Sequence, residues 1–184
     1  MAFTASKDAS GIYLIRVEGQ LIVGNRQELK QKVGEKIKLS PALCALGGQS
    51  KLDMTKEGLR IQIVDEGNRP MFDSGSAVVK PYMRDLLQEL GAVLAEVPNR
   101  LTVEGHTDAK PFSAGERGYS NWELSADRAN ASRREMVAGG LPEARMLRVQ
   151  GLASSKLLDT QAPESPANRR ISIIVMNRDA EDAV

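Results

Sequence analysis

Two ionisable residues on either side of a polar loop have a spacing suited to recognition chemistry. Asp108 closes the run Gly105-His106-Thr107-Asp108, and Arg128 lies in the helical stretch that opens at Asn121. Asn121, Ser125, Arg128 and Ser132 are spaced by four, three and four residues, which sets them on one stripe of an α-helix. Arg128 is the long cation among short side chains there, so its neighbours leave a hollow around it. A guanidinium presents a planar fork of donors that matches a carboxylate through two parallel hydrogen bonds. A carboxylate and a guanidinium facing one cavity suit a zwitterion, with its ammonium on Asp108 and its carboxylate on Arg128. The plainer alternative pairs Asp108 with Arg128 directly, as a salt bridge across a strand–helix junction.

The flanking pattern says which elements must position these groups. Leu101-Thr102-Val103 reads as a strand that delivers the chain to the Gly105–Asp108 turn. The helix is expected to start near Ser120 or Asn121, where short polar residues supply an N-cap, and to stop at Gly139-Gly140. Trp122, Ala126, Ala129 and Met136 form a neighbouring stripe that can pack on a sheet. Upstream, Leu59 to Val64 alternates and reads as the first strand of the main domain. The loop 65–79 follows, anchored by Met71 and Phe72, with Phe72 expected in the core. Pro81 suits the first turn of a helix. Met83, Leu86, Leu87, Leu90, Val93, Leu94 and Val97 then recur at helical intervals, up to the stop at Pro98. Residues 145–151 and 168–177 read as the last two strands, separated by a polar loop. The order βαβαββ predicts a two-layer α/β (α+β) sandwich with its helices on one face. The other face is then left for the leader or a second subunit to cover.

The main domain is expected over residues 51–178, with a frayed acidic tail at 179–184. Residues 1–33 read as a leader of strand, turn and helix, with the strand at Ile12–Val17 free to add to the main sheet. Its wording resembles the opening of an anti-sigma-factor-antagonist (STAS) domain, but the remainder of such a domain does not follow. A fused or engineered segment is one reading of this leader. Residues 34–50 are expected to be a linker with a helical portion, because Gly34, Pro41 and Gly47-Gly48 interrupt any long helix.

Composition removes several function classes. The 25 Lys+Arg nearly balance 24 Asp+Glu, so no basic surplus marks a nucleic-acid binder. One Cys and one His exclude an internal disulfide and a Cys/His zinc site. No cofactor is implied. No run of about 20 apolar residues occurs, so no transmembrane helix is expected. His106, Asp108 and a serine could suggest a wall hydrolase, but no nucleophile motif or metal set accompanies them. His106 reads as a structural residue.

The ordered motifs GHTD, NWELSADRA and NRRISI resemble the OmpA-like peptidoglycan-binding domain. The fuller wording RGYSNWELSADRANASRRE, with GLRIQIVDEGNRPMFDSGSA upstream, is similar to its flagellar-stator (MotB) branch. The resemblance spans about residues 52–178. It implies a non-enzymatic module that grips the diaminopimelate of the peptidoglycan stem peptide and ties a motor stator to the wall. It further implies that Asp108 and Arg128 hold the ligand, that Asn121, Thr107, Leu124 and Ser125 belong to the same site, and that Arg169 and Arg170 either steer the acidic peptide or cap a strand end. A homodimer in the periplasm is expected, partnered in the intact protein by the channel subunit MotA and the flagellar P-ring. Whole stator proteins of this branch carry a membrane helix, so this chain is expected to be a periplasmic fragment. The alternative implied is an OmpA-like wall-linked lipoprotein or adaptor outside the motor.

Overall fold

A computed structural model describes residues 2–7, 13–18, 22–44, 47–66, 68–112 and 118–183. The centre is a five-stranded sheet of β3 (Ser50–Met54), β4 (Gly58–Val64), β5 (Leu101–His106), β6 (Met146–Gly151) and β7 (Arg170–Met176). Its spatial order is β3-β4-β7-β5-β6. β7 is sandwiched antiparallel between β4 and β5, and β5 pairs in parallel with β6. Two long helices, α3 (Pro81–Ala95) and α4 (Asn121–Ala138), make the second layer.

Alternation along the central strands sorts the two faces. Leu59, Ile61, Ile63, Leu101, Val103, Ile171, Ile173 and Val175 are all at most 2% exposed and meet Met83, Leu86, Leu87, Leu90 and Leu94 of α3 in one core. Burying each such side chain contributes about 1.5–3 kcal/mol. The opposite face is polar. Gln62, Ser172, Glu104 and Gln150 stand side by side across β4, β7, β5 and β6. Gln62, Ser172 and Glu104 are nevertheless buried.

The main domain carries one strand more than the sequence pattern suggests. β3 pairs antiparallel with β4 over five residues, Leu52 opposite Ile61. It lies where the main domain was expected to begin, and its half-buried alternation gives it little apolar signal. The helix expected to break at Gly34 instead runs unbroken as α1 (Ile22–Leu39). Leu29, Val33 and Ile37 recur every four residues and join the core, with Leu43 of the short helix α2 (Pro41–Cys44). A glycine in a helix costs only about 1 kcal/mol against alanine, which this packing outweighs. The N-terminal segment holds two strands, β1 (Ala2–Lys7) and β2 (Tyr13–Glu18), paired with each other in a separate two-stranded sheet rather than added to the main one. The tail, expected to fray, forms the short helix α5 (Arg178–Asp182), N-capped by the side chain of Asn177. Glu181 accepts from the backbone N–H of Arg100 at 2.7 Å.

Candidate functional site

The site forms at the end of β5, where that strand hands over to the loop before α4. α4 begins at a complete capping box: the Ser120 hydroxyl accepts from the first helical turn, and Glu123 accepts from the Ser120 N–H at 2.7 Å. Such a start fixes the helix axis at its N-terminal end. The helix then approaches the sheet with its backbone almost touching. A Cβ at Gly105 would fall 1.9 Å from the Ser125 carbonyl oxygen, and one at Gly151 would fall 2.4 Å from the Ala126 nitrogen. Only glycine allows a helix to sit this low on β5 and β6. Ser125 completes the contact, donating to the Trp122 carbonyl and accepting from the Ala153 N–H.

One turn further on, Arg128 is aimed into an open pocket of about 620 Å³. Its Nε donates to the Ser76 carbonyl at 2.9 Å and its Nη2 to the Asp73 carbonyl at 3.4 Å. The guanidinium lies 5.0 Å from the centre of the Phe72 ring. No carboxylate among the described residues pairs with it, although Arg128 is only 8% exposed. Burial lowers its pKa most, against the opposing attraction of Asp65. Of five guanidinium donors, two hold it in place on backbone carbonyls, and the others have no partner among the described residues.

Asp108 faces the same pocket but is engaged. Its Oδ2 accepts from Arg169 Nη1 at 2.9 Å, and its Oδ1 from the Lys110 N–H at 3.2 Å. Arg169 Nε also donates to Asp65 at 2.7 Å, so one guanidinium bridges two carboxylates. Asp65 in turn accepts from the Met71 N–H and pins the start of the β4–α3 loop. The anticipated alternative, an Asp108–Arg128 salt bridge, does not form; Arg169 occupies that role. An ionised carboxylate has about four acceptor sites, so Asp108 keeps capacity for a ligand.

Thr107, Asp108, Asn121, Leu124, Arg128 and Arg169 line this one cavity. Asn121 donates to the Lys110 carbonyl at 2.8 Å and ties the loop to the helix. Thr107 donates to the Asp108 carbonyl at 2.9 Å. Two expected residues lie elsewhere. Ser125 is fully buried between helix and sheet and does not reach the cavity. Arg170 points to the polar face, donating to the carbonyls of Asn168 and Lys156. Burial pushes its pKa down to about 10. Trp122, expected against the sheet, is 54% exposed. Phe72, expected in the core, is buried and also forms part of the pocket wall. Asp65 and Phe112 line the pocket without having been singled out. Asp65 follows β4 as Asp108 follows β5, a parallel visible only once both strands are paired to β7.

His106 sits behind the site, 3% exposed. Its Nε2 lies 3.6 Å from Glu104 and 3.4 Å from the Ser172 hydroxyl. Burial holds its pKa below the ordinary value. Burial would raise that of Glu104, but hydrogen bonds from His106 and Gln150 outweigh it and the net shift is downward. The pair is thus a neutral imidazole beside an ionised carboxylate. Ser172 and Glu104 both meet the same imidazole nitrogen, no partner among the described residues orients the ring through Nδ1, and Ser172 is 1% exposed. The three therefore do not form a nucleophile–base–orienter relay open to a substrate. No cluster of metal-ligating residues occurs among the described residues.

Comparison with known proteins agrees with this architecture. Over 158 residues, 86% of this chain, the sequence is 51% identical to Motility protein B of Escherichia coli (strain K12). That alignment takes in 51% of the relative, so the chain spans about half the length of the curated relatives it matches. The fold resembles the cell wall anchor of the T6SS from Pseudomonas aeruginosa, with a TM-score of 0.62 and 25% identity over 83% of this chain and 99% of that one. It also resembles a MotB-like protein from Desulfovibrio vulgaris, with a TM-score of 0.68 and 20% identity over 86% of this chain and all of the other. None of these relatives is described as an enzyme. The model of the OmpA family matches residues 71–170, a span holding both Asp108 and Arg128 and more than half of the sequence; the chain belongs to the OmpA family.

Proposed function

We propose that this domain is a non-catalytic anchor that grips the diaminopimelate of peptidoglycan stem peptides and ties a flagellar stator to the cell wall. The observation that carries the reading is Arg128: a buried guanidinium, fixed by backbone carbonyls, with no carboxylate partner among the described residues, facing a pocket that also holds Asp108. A free carboxylate is the natural occupant for such a fork. The ligand ammonium then shares the Asp108 carboxylate with Arg169. Asn121 and Thr107 shape the loop around it, and Leu124 and Phe72 give the aliphatic part of the ligand an apolar wall.

The likeness to Motility protein B supports placing the anchor in the periplasm, as part of a longer protein. No helix among the described residues is long and apolar enough to cross a membrane. In the intact protein we assign MotA as the channel partner, the P-ring as the neighbour at the wall, and a homodimer as the working state. Modest affinity per pocket suffices for a tether, because linked copies rebind at high effective concentration.

Co-sedimentation with isolated peptidoglycan sacculi tests this. The parent chain is expected to pellet with sacculi, and Arg128→Ala and Asp108→Ala to stay in the supernatant while remaining folded. Equal pelleting of all three would overturn the assignment of the pocket.

A further inference from the structure

β3 is an edge strand, and its outer row of backbone N–H and C=O groups has no strand partner among the described residues. Exposed edges of this kind are templates for pairing with another chain, and proteins commonly blunt them with proline, bulges or a lysine that has no opposite charge to meet on an approaching edge. β3 contains no proline, and its pairing with β4 runs through all five residues without a bulge. Its only charges are Lys51 and Asp53, which flank Leu52 and share one face of the sheet. Lys51 is exposed and has no ion-pair partner among the described residues, whereas Asp53 binds Arg60 through both oxygens at 3.1 and 2.6 Å. The Asp53 side chain is still 43% exposed, which leaves it open to a second cation.

This pattern is self-complementary. When two copies of β3 run antiparallel about a two-fold axis through Leu52, Lys51 of each copy stands directly opposite Asp53 of the other. Both rows then hold opposite charges, and each Asp53 sits between its own Arg60 and the other copy's Lys51. The opposite edge of the sheet has no such property: Arg148 is the only charged residue of β6. We infer that β3 is the self-pairing surface of this domain, joining two copies into one continuous ten-stranded sheet through the Lys51–Asp53 register. This deepens the homodimer reading above and is independent of the pocket, since no pocket-lining residue belongs to β3.

Charge reversal tests it. Sedimentation velocity of the full chain across a concentration series reads the dimer constant for the parent, Lys51→Asp, and the swapped double variant Lys51→Asp/Asp53→Lys. Lys51→Asp sets two carboxylates opposite each other in both rows. Cross-strand charge pairs contribute modestly each, so dimerisation should weaken roughly 10- to 100-fold. The double variant restores opposite charges in both rows, although it gives up the Asp53–Arg60 pair within each copy, and should bind more tightly than Lys51→Asp. A dimer indifferent to the reversal would overturn the surface while leaving the homodimer standing. A chain monomeric at every concentration would overturn both. Lys51 is exposed, and the Asp53–Arg60 pair lost in the double variant is part-exposed and so only weakly stabilising; the variants are expected to fold, and unfolding midpoints within a few degrees of the parent verify this.

Discussion

Gly105→Ala is the most informative single change for how the fold holds its site. The added methyl would lie 1.9 Å from the Ser125 carbonyl oxygen and 2.8 Å from its carbon. Ordinary contact requires a separation near 3.5 Å, so α4 must lift from the sheet by about 1.5 Å. The obstacle is backbone, and no rotamer change relieves it. The helix cannot tilt towards β6 instead, because the approach there is also close: a Cβ at Gly151 would lie 2.4 Å from the Ala126 nitrogen and 2.6 Å from Ser125 Oγ. Overpacking of this sort costs about 1–3 kcal/mol, and the upper half of that range applies where both sides are rigid. Arg128 is three residues from Ser125 and moves with it. A shift of that size breaks the 2.9 Å bond from its Nε to the Ser76 carbonyl. Loss of one charge-assisted bond weakens binding by about 1.5–3 kcal/mol, or roughly 10- to 100-fold. Urea unfolding reads the first effect and sacculus binding of the folded variant the second. A variant within about 0.5 kcal/mol of the parent, with undiminished binding, would refute the idea that close approach at Gly105 sets the position of Arg128.

Two further outcomes follow from the same architecture. Ser120→Ala removes the hydroxyl half of the capping box and should lower stability by about 1 kcal/mol, read as a shift in the urea midpoint with an unchanged slope. His106, the single histidine, is held neutral by burial. The unfolded chain therefore binds a proton more readily than the folded one below pH 6.5, and stability falls as pH drops through that value, by at most about 1.4 kcal/mol per pH unit. Glu104, whose folded pKa is depressed, adds a separate loss only as pH falls below about 4.5. Urea midpoints between pH 7 and 5 should slope less steeply in His106→Gln than in the parent; parallel slopes would contradict a buried neutral imidazole.

The core of this fold was legible because its signals are periodic. The three- and four-residue recurrence of Met83 to Leu94 gave α3, and alternation in Leu59–Val64 gave β4, because each element buries one face. The capping residues around Ser120 and the glycines at 139 and 140 marked the ends of α4 to within a residue. Failures came where tertiary contacts override local preference. Gly34 sits inside a helix because Val33 and Ile37 are buried beside it. β3 was passed over because an edge strand needs no strong apolar pattern of its own. In the site, a helical wheel set Ser125 beside Arg128 correctly but could not tell that close approach at Gly105 turns its hydroxyl into the sheet contact. Nor could spacing along the chain show that Arg169, 61 residues from Asp108, is the cation that meets it.

The two ends of the proposed clamp are not equivalent. Arg128 is buried, oriented by neutral carbonyls, and without an anionic partner among the described residues. A ligand carboxylate therefore meets a cation whose desolvation the fold has already imposed, and the interaction gains from the lower local dielectric. Asp108 meets the ligand already paired with Arg169, which also holds Asp65. An incoming ammonium must share that carboxylate, so its net gain is smaller. Truncating Asp108 leaves Arg169 still neutralised by Asp65, whereas truncating Arg128 leaves the ligand carboxylate in the pocket without its fork. The loss of binding on removing Arg128 should accordingly exceed that on removing Asp108. The order reverses only if Arg169 leaves Asp108 when the ligand arrives, in which case Asp65 alone would retain it.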